Sequence, residues 1–453
     1  MQKHSVLTRR PIRPERILAL GFLTAIVIGG LLLTLPVCGA GGRSIGLKQG
    51  LFTATSAVCV TGLTIIDAGT QLSLLGQAVL LVLIQIGGLG FMSFATVIMA
   101  ALGKRVSLRG RLILREAMNQ TGLRGMVRLS LNFFLIAMII ETAGALILMT
   151  RLVPLYGKGK GIWYSFFTSV SAFCNAGFDI FGGWKSLTLF QLEPVILLTL
   201  CGLIVLGGLG FSVILECLHH RFHFKRLSVH ARLVLLSTAV LLLSGTAWML
   251  ALDWNHSLAD LPVGAKVTNG FFQSVTLRTA GFASVDQAAL TDVSKLISCL
   301  WMFIGASSAS TGGGIKTTTA MMLVLLVWNV IRGRERINVF GREISQDTAK
   351  RSMAIAFIGM AMVFLSTCLV GFFEQGGGKS MIDILFETTS AFSTTGLSSL
   401  NTPTLRPASQ WLLMPLMYLG RVGPLTLALA LASRSESGTG TRVRYPEEKI
   451  MIG

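Results

Sequence analysis

Four three-residue segments that end in glycine carry the chemistry offered by this sequence. They are VTG (60–62), NAG (175–177), TAG (279–281) and TTG (394–396), called the glycine segments below. Glycine permits a positive φ and a close backbone approach, so carbonyl oxygens can line a narrow path while side chains point away. Such oxygens can replace the water shell of a monovalent cation. The candidate ligands are therefore Val60, Thr61, Gly62, Asn175, Ala176, Gly177, Thr279, Ala280, Gly281, Thr394, Thr395 and Gly396.

Each glycine segment ends one copy of a longer repeat. The copies are FTATSAVCVTGL (52–63), FTSVSAFCNAGF (167–178), FFQSVTLRTAGF (271–282) and FETTSAFSTTGL (386–397). A Phe stands ten positions before every glycine (Phe52, Phe167, Phe271 and Phe386). The first, second and fourth copies share a Ser-Ala pair, and the third copy has Val275-Thr276 in its place. A single such glycine could simply turn a loop or pack against a helix. Four in one register favour a shared ring of carbonyls.

A second set of glycine motifs repeats in step with the first. IGGLG (86–90), LGGLG (206–210), IGASS (304–308) and LGRVG (419–423) each follow one glycine segment. Every repeat therefore reads as an apolar helix, a short segment that ends in the glycine, and a second apolar helix. We predict first helices at 17–35, 129–150, 231–252 and 353–373, and second helices at 71–102, 192–218, 294–331 and 411–432.

Composition indicates a membrane protein. Hydrophobic residues make up 52% of the 453 residues and charged residues 13%, with a mean hydropathy of +0.70, whereas soluble domains carry about 25% charged residues. The segments before the glycines are too short to span a bilayer, and non-helical backbone at membrane depth needs protein or a watery cavity around it. We therefore expect an all-α polytopic protein with four membrane-pore-membrane repeats, eight transmembrane helices and four re-entrant half-helices around a central pore. The predicted divisions are 1–103, 104–218, 219–332, 333–433 and a cytoplasmic C-terminal tail, 434–453.

The net charge of +19 follows a membrane pattern. Twenty-six Lys and Arg lie in the five connections and termini on one predicted side, and ten lie on the side that carries the half-helices. Positive residues favour the cytoplasmic side, so we expect both termini in the cytoplasm and half-helices that enter from outside. No nucleic-acid partner is needed to explain the charge.

The second helix of the third repeat contains an unusual interruption, GASSASTGGGIKTTT (305–319). Three successive glycines, Gly312, Gly313 and Gly314, are unfavourable inside a helix by about 1 kcal/mol each. We predict a mobile intramembrane gate loop that includes Lys316. The alternative is a kinked helix whose Ser and Thr side chains satisfy its backbone.

Besides Lys316, two cationic side chains, Arg421 and Arg278, fall at membrane depth. Arg421 replaces a small residue of the second glycine motif. Because a lone cation at membrane depth is costly, we expect Arg421 to face the pore below the glycine segments and to act with the gate. The alternative is that it pairs with a buried carboxylate such as Glu141. Arg278 precedes TAG, and we expect it to support that segment by bonding carbonyls or an acid such as Glu387. Asp67, Asp179 and Asp286 follow three of the segments and either concentrate cations or are ordinary solvated loop acids.

These motifs resemble the Ktr/Trk/HKT superfamily of potassium transporters. The four glycine segments, the GGLG helices, the interrupted third-repeat helix, LGRVGPLTLA (419–428) and the ending RYPEEKIMIG carry the resemblance over essentially the whole chain. Eight helices without an additional N-terminal pair suit the ion-conducting subunits of bacterial Ktr systems. In plant relatives a Ser in place of the first-repeat glycine is associated with Na⁺ preference, so Gly62 favours K⁺.

The resemblance implies K⁺ uptake across the bacterial cytoplasmic membrane, with dependence on Na⁺ left open. It also implies a homodimer with one pore per subunit, contact with membrane lipids, and a cytosolic nucleotide-binding regulatory ring of the RCK type, since this chain has no nucleotide motif of its own. A TrkH-like or less selective Na⁺/K⁺ transporter is the nearest alternative. A secondary transporter would show two inverted halves, and a membrane enzyme would show a catalytic motif such as HExxH or GxSxG, which the sequence lacks.

Overall fold

The computed structural model describes residues 14–90, 93–94, 96–97, 99, 110, 126–221, 223–334 and 336–423. The predictions for most of the basic N-terminal segment, most of the 103–128 connection and the tail 434–453 lie outside the described residues. Within these ranges the chain is mainly helical, as hydropathy predicts.

The helices follow one another in the predicted order. The first repeat contains α1 (Pro14–Thr34), α2 (Leu47–Cys59), α3 (Ala68–Gln71) and α4 (Leu74–Leu89), and the second contains α5 (Met126–Tyr156), α6 (Lys158–Phe173), α7 (Pro194–Leu209) and α8 (Phe211–His219). The third contains α9 (Val229–Asp253), α10 (Val263–Thr276), α11 (Asp292–Phe303) and α12 (Thr317–Ile331), and after strands β1 (Ile337–Val339) and β2 (Arg342–Ile344) the fourth contains α13 (Gln346–Phe373), α14 (Met381–Ser393) and α15 (Pro407–Val422). Short 3₁₀ turns lie at Pro36–Cys38, Ala40–Gly42, Thr188–Phe190, Phe224–Arg226 and Thr402–Thr404.

The first helix of each repeat is long and apolar. Among the described residues, α1, α5, α9 and α13 are long and apolar enough to cross a membrane, with mean hydropathies of 2.0 to 2.5. One third of each most apolar stretch is buried inside the protein, so the remaining surface suits contact with lipid. Ser228 and Ser345 cap α9 and α13 by accepting backbone N–H bonds. The total of eight membrane crossings stays a prediction.

The second helices differ from the continuous spans that we predict. Helix α4 ends at Gly90, α7 meets α8 at Gly210 with a bend of 97°, and α15 ends at Gly423. These three glycines share one backbone conformation, with φ of 84° to 91° and ψ of 131° to 138°. Only glycine adopts it readily, so the last glycine of each GGLG-like motif breaks its helix. The prediction of unbroken helices over 71–102 and 192–218 is wrong.

In the third repeat the break is a loop. Helix α11 ends at Phe303 and α12 begins at Thr317, and the intervening residues, called the inner loop (304–316), are non-helical. The interruption is therefore where the sequence predicts it, and the alternative of a merely kinked helix is wrong.

Four short helices, α2, α6, α10 and α14, lead into the glycine segments. Each packs against the long helix of its own repeat, and Phe52, Phe167 and Phe386 are completely buried. In the third repeat the buried residue is Phe272, whereas the predicted equivalent Phe271 is only half-buried. The buried Phe272 lies nine residues before Gly281, whereas the buried Phe of each other repeat lies ten residues before its glycine, so the register of α10 relative to its glycine is shifted by one residue.

A small β-hairpin forms the one β-sheet in the described part of the chain. Strands β1 and β2 are antiparallel, with Ile337 opposite Ile344. Near the hairpin turn, the Arg232 guanidinium lies 5.9 Å from the ring centre of Phe224 and 5.6 Å from that of Phe340. This hairpin is an addition to the all-α fold predicted from the sequence.

Candidate ion-binding site

The four predicted glycines lie together in a closed ring. At each of them an added Cβ would lie closer than 3.0 Å to the carbonyl oxygen of the middle residue of the next glycine segment. The contacts run from Gly62 to Ala176, from Gly177 to Ala280, from Gly281 to Thr395 and from Gly396 back to Thr61. Segments more than 100 residues apart therefore share one axis, and the absence of side chains at these positions allows the carbonyls to approach it.

The glycine segments have an unusual backbone conformation. Their first residues, Val60, Asn175, Thr279 and Thr394, have φ between 53° and 61°, and their glycines have φ between 69° and 93°. A non-glycine residue in this region costs on the order of 1–3 kcal/mol, and such strain is typical of functional sites held by their surroundings. Four equivalent strained positions indicate that the local structure imposes this geometry.

Hydroxyl groups of the short helices hold the glycine segments in place. Ser56 and Ser390 each accept a hydrogen bond of 3.0 Å from the backbone N–H of their own glycine, Gly62 and Gly396. Ser171 and Thr276 instead donate bonds of 2.7 Å to the carbonyls that follow their glycines. These positioning residues are not among the predicted site residues. The repeated Ser of the Ser-Ala pair was the signal that could have identified them.

The second glycine motif accommodates the first residue of each segment. A Cβ added at Gly87 would lie 2.8 Å from the side chain of Val60. The corresponding distances are 3.0 Å between Gly207 and Asn175, 3.2 Å between Gly305 and Thr279, and 3.3 Å between Gly420 and Thr394. The first side chain of each segment therefore points back against the second helix. This contact explains why the two sets of motifs repeat in step.

A cavity of about 540 Å³ opens on one side of the ring and is lined by all four glycines. We call it the vestibule. Asp67, Asp179 and Asp286 also line it. The Asp67 carboxylate accepts backbone N–H bonds from Gly69 at 3.0 Å and Gly183 at 2.7 Å, so it braces the wall as well as contributing charge.

The surroundings of Asp179 change the pKa of its carboxyl group. Burial raises the pKa of its carboxyl group to about 6, and the nearby charge of Asp67 adds to the rise, although the backbone N–H of Phe181 donates to the carboxylate. Asp179 is therefore negatively charged above about pH 6 and neutral below it.

The inner loop lies against the opposite side of the ring. An added Cβ at Gly312 would meet the hydroxyl of Thr279, and one at Gly313 would meet the hydroxyl of Thr394. The glycine run thus lets this loop contact the first residues of two glycine segments directly. Lys316 donates a hydrogen bond of 2.7 Å to the carbonyl of Gly312 and thereby closes the loop upon itself.

The inner loop is anchored mainly to the second repeat. The backbone N–H of Ser307 donates to the carbonyl of Gly208 at 3.1 Å, and that of Thr311 donates to Gly207 at 3.3 Å. The Thr311 hydroxyl bonds the carbonyl of Phe173 at 3.3 Å, at the end of α6. The loop in this conformation is ordered and is held by specific contacts.

Arg421 links the inner loop to the first repeat. Its guanidinium donates to the carbonyls of Thr311 and Gly87. The alternative partner, Glu141, is instead bonded by the side-chain amide of Gln85 at 3.1 Å to each carboxylate oxygen. The suggested pairing of Arg421 with Glu141 is therefore wrong, and the exposure of Arg421 to an ion path stays a prediction.

Arg278 and Glu387 are both buried but have separate partners. Arg278 donates to the hydroxyl of Thr238 on α9 at 3.2 Å, and its own backbone carbonyl accepts from the Asn175 side chain at 3.2 Å. Glu387 accepts from the Thr402 hydroxyl at 2.6 Å. The suggested Arg278–Glu387 contact is not formed, because Arg278 reaches back to the long helix of its own repeat. Its backbone nevertheless contacts the neighbouring glycine segment.

Long apolar helices around a closed ring of backbone carbonyls define a polytopic membrane protein with a central axial site. The chain belongs to the TrkH family of cation transport proteins, whose family model matches residues 22–441.

Several characterised proteins are similar over their full length. The Ktr system potassium uptake protein B of Bacillus subtilis is 37% identical, with 100% of both chains covered. The potassium/sodium uptake protein NtpJ of Enterococcus hirae is also 37% identical, with 98% of each chain covered. The crystal structure of the potassium transporter TrkH from Vibrio parahaemolyticus is 18% identical, with a TM-score of 0.71 over 95% of this chain and 86% of that one. This last comparison shows a shared fold.

Proposed function

We propose that the chain takes up K⁺ across the bacterial cytoplasmic membrane through the ring of glycine segments, which acts as a selectivity filter. The observation that carries this proposal is the closed cycle of contacts among Gly62, Gly177, Gly281 and Gly396. Relatives of similar length that are named potassium uptake proteins support it. The chain acts as a transporter, and no catalytic step is part of the proposal.

The geometry suits the capture of a cation. Vestibule carboxylates raise the local cation concentration, and the C-terminal ends of four short helices direct partial negative charge towards the ring. Carbonyl oxygens of the glycine segments then replace the water shell of the ion. A membrane potential of about 100 mV contributes roughly 2.3 kcal/mol per ion to inward movement, so uptake needs no nucleotide hydrolysis in this chain.

The inner loop is proposed as the gate. Its contact with Thr279 and Thr394 obstructs the side of the ring opposite the vestibule. The bonds from Arg421 to Thr311 and Gly87 hold it there. Opening requires these bonds to break, and Gly312, Gly313 and Gly314 provide the backbone freedom for the loop to move aside.

A less selective K⁺/Na⁺ transporter is the second candidate. NtpJ is named a potassium/sodium uptake protein. The first residues of the glycine segments are Val, Asn, Thr and Thr, and each segment has a single glycine, so the ring has few equivalent binding levels. Na⁺ is then either a competing or a coupled ion.

The assembly is proposed from the family resemblance together with the cytoplasmic features. We propose a homodimer with one pore per subunit, surrounded by lipid, whose cytoplasmic face binds a regulatory ring of the RCK type. The exposed rings of Phe224 and Phe340 around Arg232 offer a contact surface for such a partner. Both termini are proposed to lie in the cytoplasm.

The test is uptake by the purified protein in liposomes and growth rescue of a bacterium that lacks K⁺ uptake. We expect saturable ⁸⁶Rb⁺ uptake that excess K⁺ inhibits more strongly than excess Na⁺, and growth at low K⁺. A Gly281→Asp variant present in the membrane at the same level serves as the inactive control. Equal inhibition by both ions would favour the second candidate, and no uptake would reject both.

A further inference from the structure

A second ring of contacts joins the four repeats, 12 to 14 residues before the glycines along the short helices. At each junction a polar group in the first turn of one second helix, or just before it in the case of Gln191, contacts the short helix of the next repeat. The contacts are Trp163 Nε1 to Gln77 Oε1 at 2.8 Å, Asn269 Nδ2 to the Gln191 carbonyl at 2.9 Å, Lys295 Nζ to Asp383 Oδ1 at 2.8 Å, and Lys48 Nζ to Gln410 Oε1 at 2.8 Å. We call these the junction contacts.

The junction contacts occupy equivalent places in the repeats. The partners that follow the glycines lie 14 or 15 residues after them (Gln77, Gln191, Lys295 and Gln410), and the short-helix partners lie 12 to 14 residues before theirs (Lys48, Trp163, Asn269 and Asp383). The junction contacts run from the first repeat to the second, third and fourth and back to the first. The contacts between the glycines follow the same cycle, so each repeat is joined to its neighbours at two levels.

The chemistry of the four contacts differs although their location does not. One joins an indole to an amide, one an amide to a backbone carbonyl, one is an ion pair, and one joins an ammonium group to an amide. A motif that merely persisted from an ancestral repeat would keep its residue types. Recurrence of contact without recurrence of residue indicates that the position itself matters.

Stability alone is a poor explanation for the charged junction. The side chains of Lys295 and Asp383 are only 7% and 18% exposed. Removing two charges from water costs about as much as their attraction returns, and apolar replacements are often equally stable. A directional contact does, however, fix the separation of the two helices that it joins.

We propose that the junction contacts set the spacing of the four short helices and thereby the width of the glycine ring, so that their members are positioning residues for discrimination between K⁺ and Na⁺. This inference rests on the proposed uptake function. A ring of carbonyls favours one ion size only while its supports keep it from contracting or widening.

The charged junction allows a test by exchange of its partners. The ratio of Na⁺ to K⁺ concentrations that half-inhibit ⁸⁶Rb⁺ uptake is measured in liposomes, per amount of folded protein. We expect Lys295→Met and Asp383→Asn each to lower this ratio about fivefold, because residues in direct contact act together and either change breaks the pair. The double variant K295D/D383K restores the pair in reverse, and we expect a ratio close to that of the original protein.

An ion pair within one repeat supplies the matched control. Lys379 and Glu374 are also 2.8 Å apart but both lie in the fourth repeat. We expect Lys379→Met to leave the selectivity ratio unchanged.

The uncharged junctions keep the proposal testable when a charge variant fails to fold. Trp163→Phe removes the indole N–H together with the five-membered ring while keeping an aromatic side chain, and we expect it also to lower the ratio. Two results would overturn the inference. One is an unchanged selectivity ratio both in Trp163→Phe and in whichever of Lys295→Met and Asp383→Asn folds. The other is a folded K295D/D383K protein whose ratio is no higher than that of its single variants. Absence of K⁺-selective uptake by the original protein would instead reject the proposed function.

Discussion

At the scale of single residues, the glycine ring depends on the lack of a side chain at four positions. Gly62, Gly177, Gly281 and Gly396 each leave the space in which the next carbonyl lies. Sequence spacing predicted that these glycines belong together. It could not predict which carbonyl each one faces, because that depends on the direction in which the repeats are arranged around the axis.

Gly177→Ala tests the requirement for this space. The new methyl group would press on the carbonyl of Ala280, and overpacking of this kind costs about 1–3 kcal/mol. We expect K⁺ selectivity over Na⁺, measured by competition against ⁸⁶Rb⁺ uptake, to fall about tenfold. Gly264→Ala is the control, since Gly264 in α10 has open space around it; a similar loss there would contradict the account.

Ser390→Ala tests the hydroxyl support. It removes the acceptor for the N–H of Gly396, and an unsatisfied buried N–H costs about 1–3 kcal/mol. We expect weaker K⁺ binding by calorimetry, by roughly tenfold, with the protein still folded. Thr268→Ala removes a hydroxyl that bonds only within α10 and is expected to have no effect. Unchanged affinity in Ser390→Ala would show that the ring does not need this bond.

The raised pKa of Asp179 predicts how uptake depends on external pH. Because the carboxyl group has a pKa of about 6, lowering the pH from 7.5 to 5 neutralises one vestibule charge. We expect the K⁺ concentration for half-maximal uptake to rise about twofold. Asp179→Asn should show the higher value at both pH values, while the exposed Asp260→Asn should behave like the original protein. A pH response that persists in Asp179→Asn would assign it to another group.

At the scale of helices, periodic hydropathy was sufficient for the long helices and insufficient for the second ones. The apolar run continues through Gly90 and Gly210, so composition gives no sign of a break. The signal was the recurrence of glycine at the same place in three motifs, which we used only as a marker of the repeat. The one-residue shift of α10 was likewise hidden, since Phe271 and Phe272 fit the pattern equally well.

The inner loop shows the limit of prediction for side-chain partners. Its position followed from three successive glycines in an apolar helix. Its attachment to Gly207, Gly208 and Arg421 did not, because those residues belong to other repeats and are distant in sequence. Contacts of this kind depend on how complete repeats pack together.

Arg421→Ala tests the role of the inner loop as a gate. Each charge-assisted bond that is lost contributes about 1.5–3 kcal/mol, so the closed loop should be less favoured. We expect the rate of ⁸⁶Rb⁺ uptake at saturating concentration to increase roughly tenfold. Arg332→Ala is the control. It removes a cation away from the glycine ring that stacks on Trp328, with the guanidinium carbon 4.4 Å from the centre of the Trp328 side-chain ring. A rate that is unchanged in folded Arg421→Ala protein would contradict the gate assignment.

At the scale of the whole molecule, four unlike repeats close one ring of glycines and one ring of junction contacts. Sequence similarity among the repeats predicted their shared axis, and the cycle of contacts among the four glycines agrees with it. Unlike residues at equivalent places make the ring asymmetric. In the proposed function the ion would meet four similar but distinct walls, and the inner loop of the third repeat would close one side of them.

Anomalous X-ray diffraction from crystals grown in Rb⁺ tests the central claim most directly. The account predicts an anomalous peak on the axis of the ring, coordinated by carbonyl oxygens of Thr61, Ala176, Ala280 and Thr395, that weakens when K⁺ is added and persists when Na⁺ is added. Saturating Rb⁺ with no peak in the ring, or with a peak held only by the vestibule carboxylates, would contradict it.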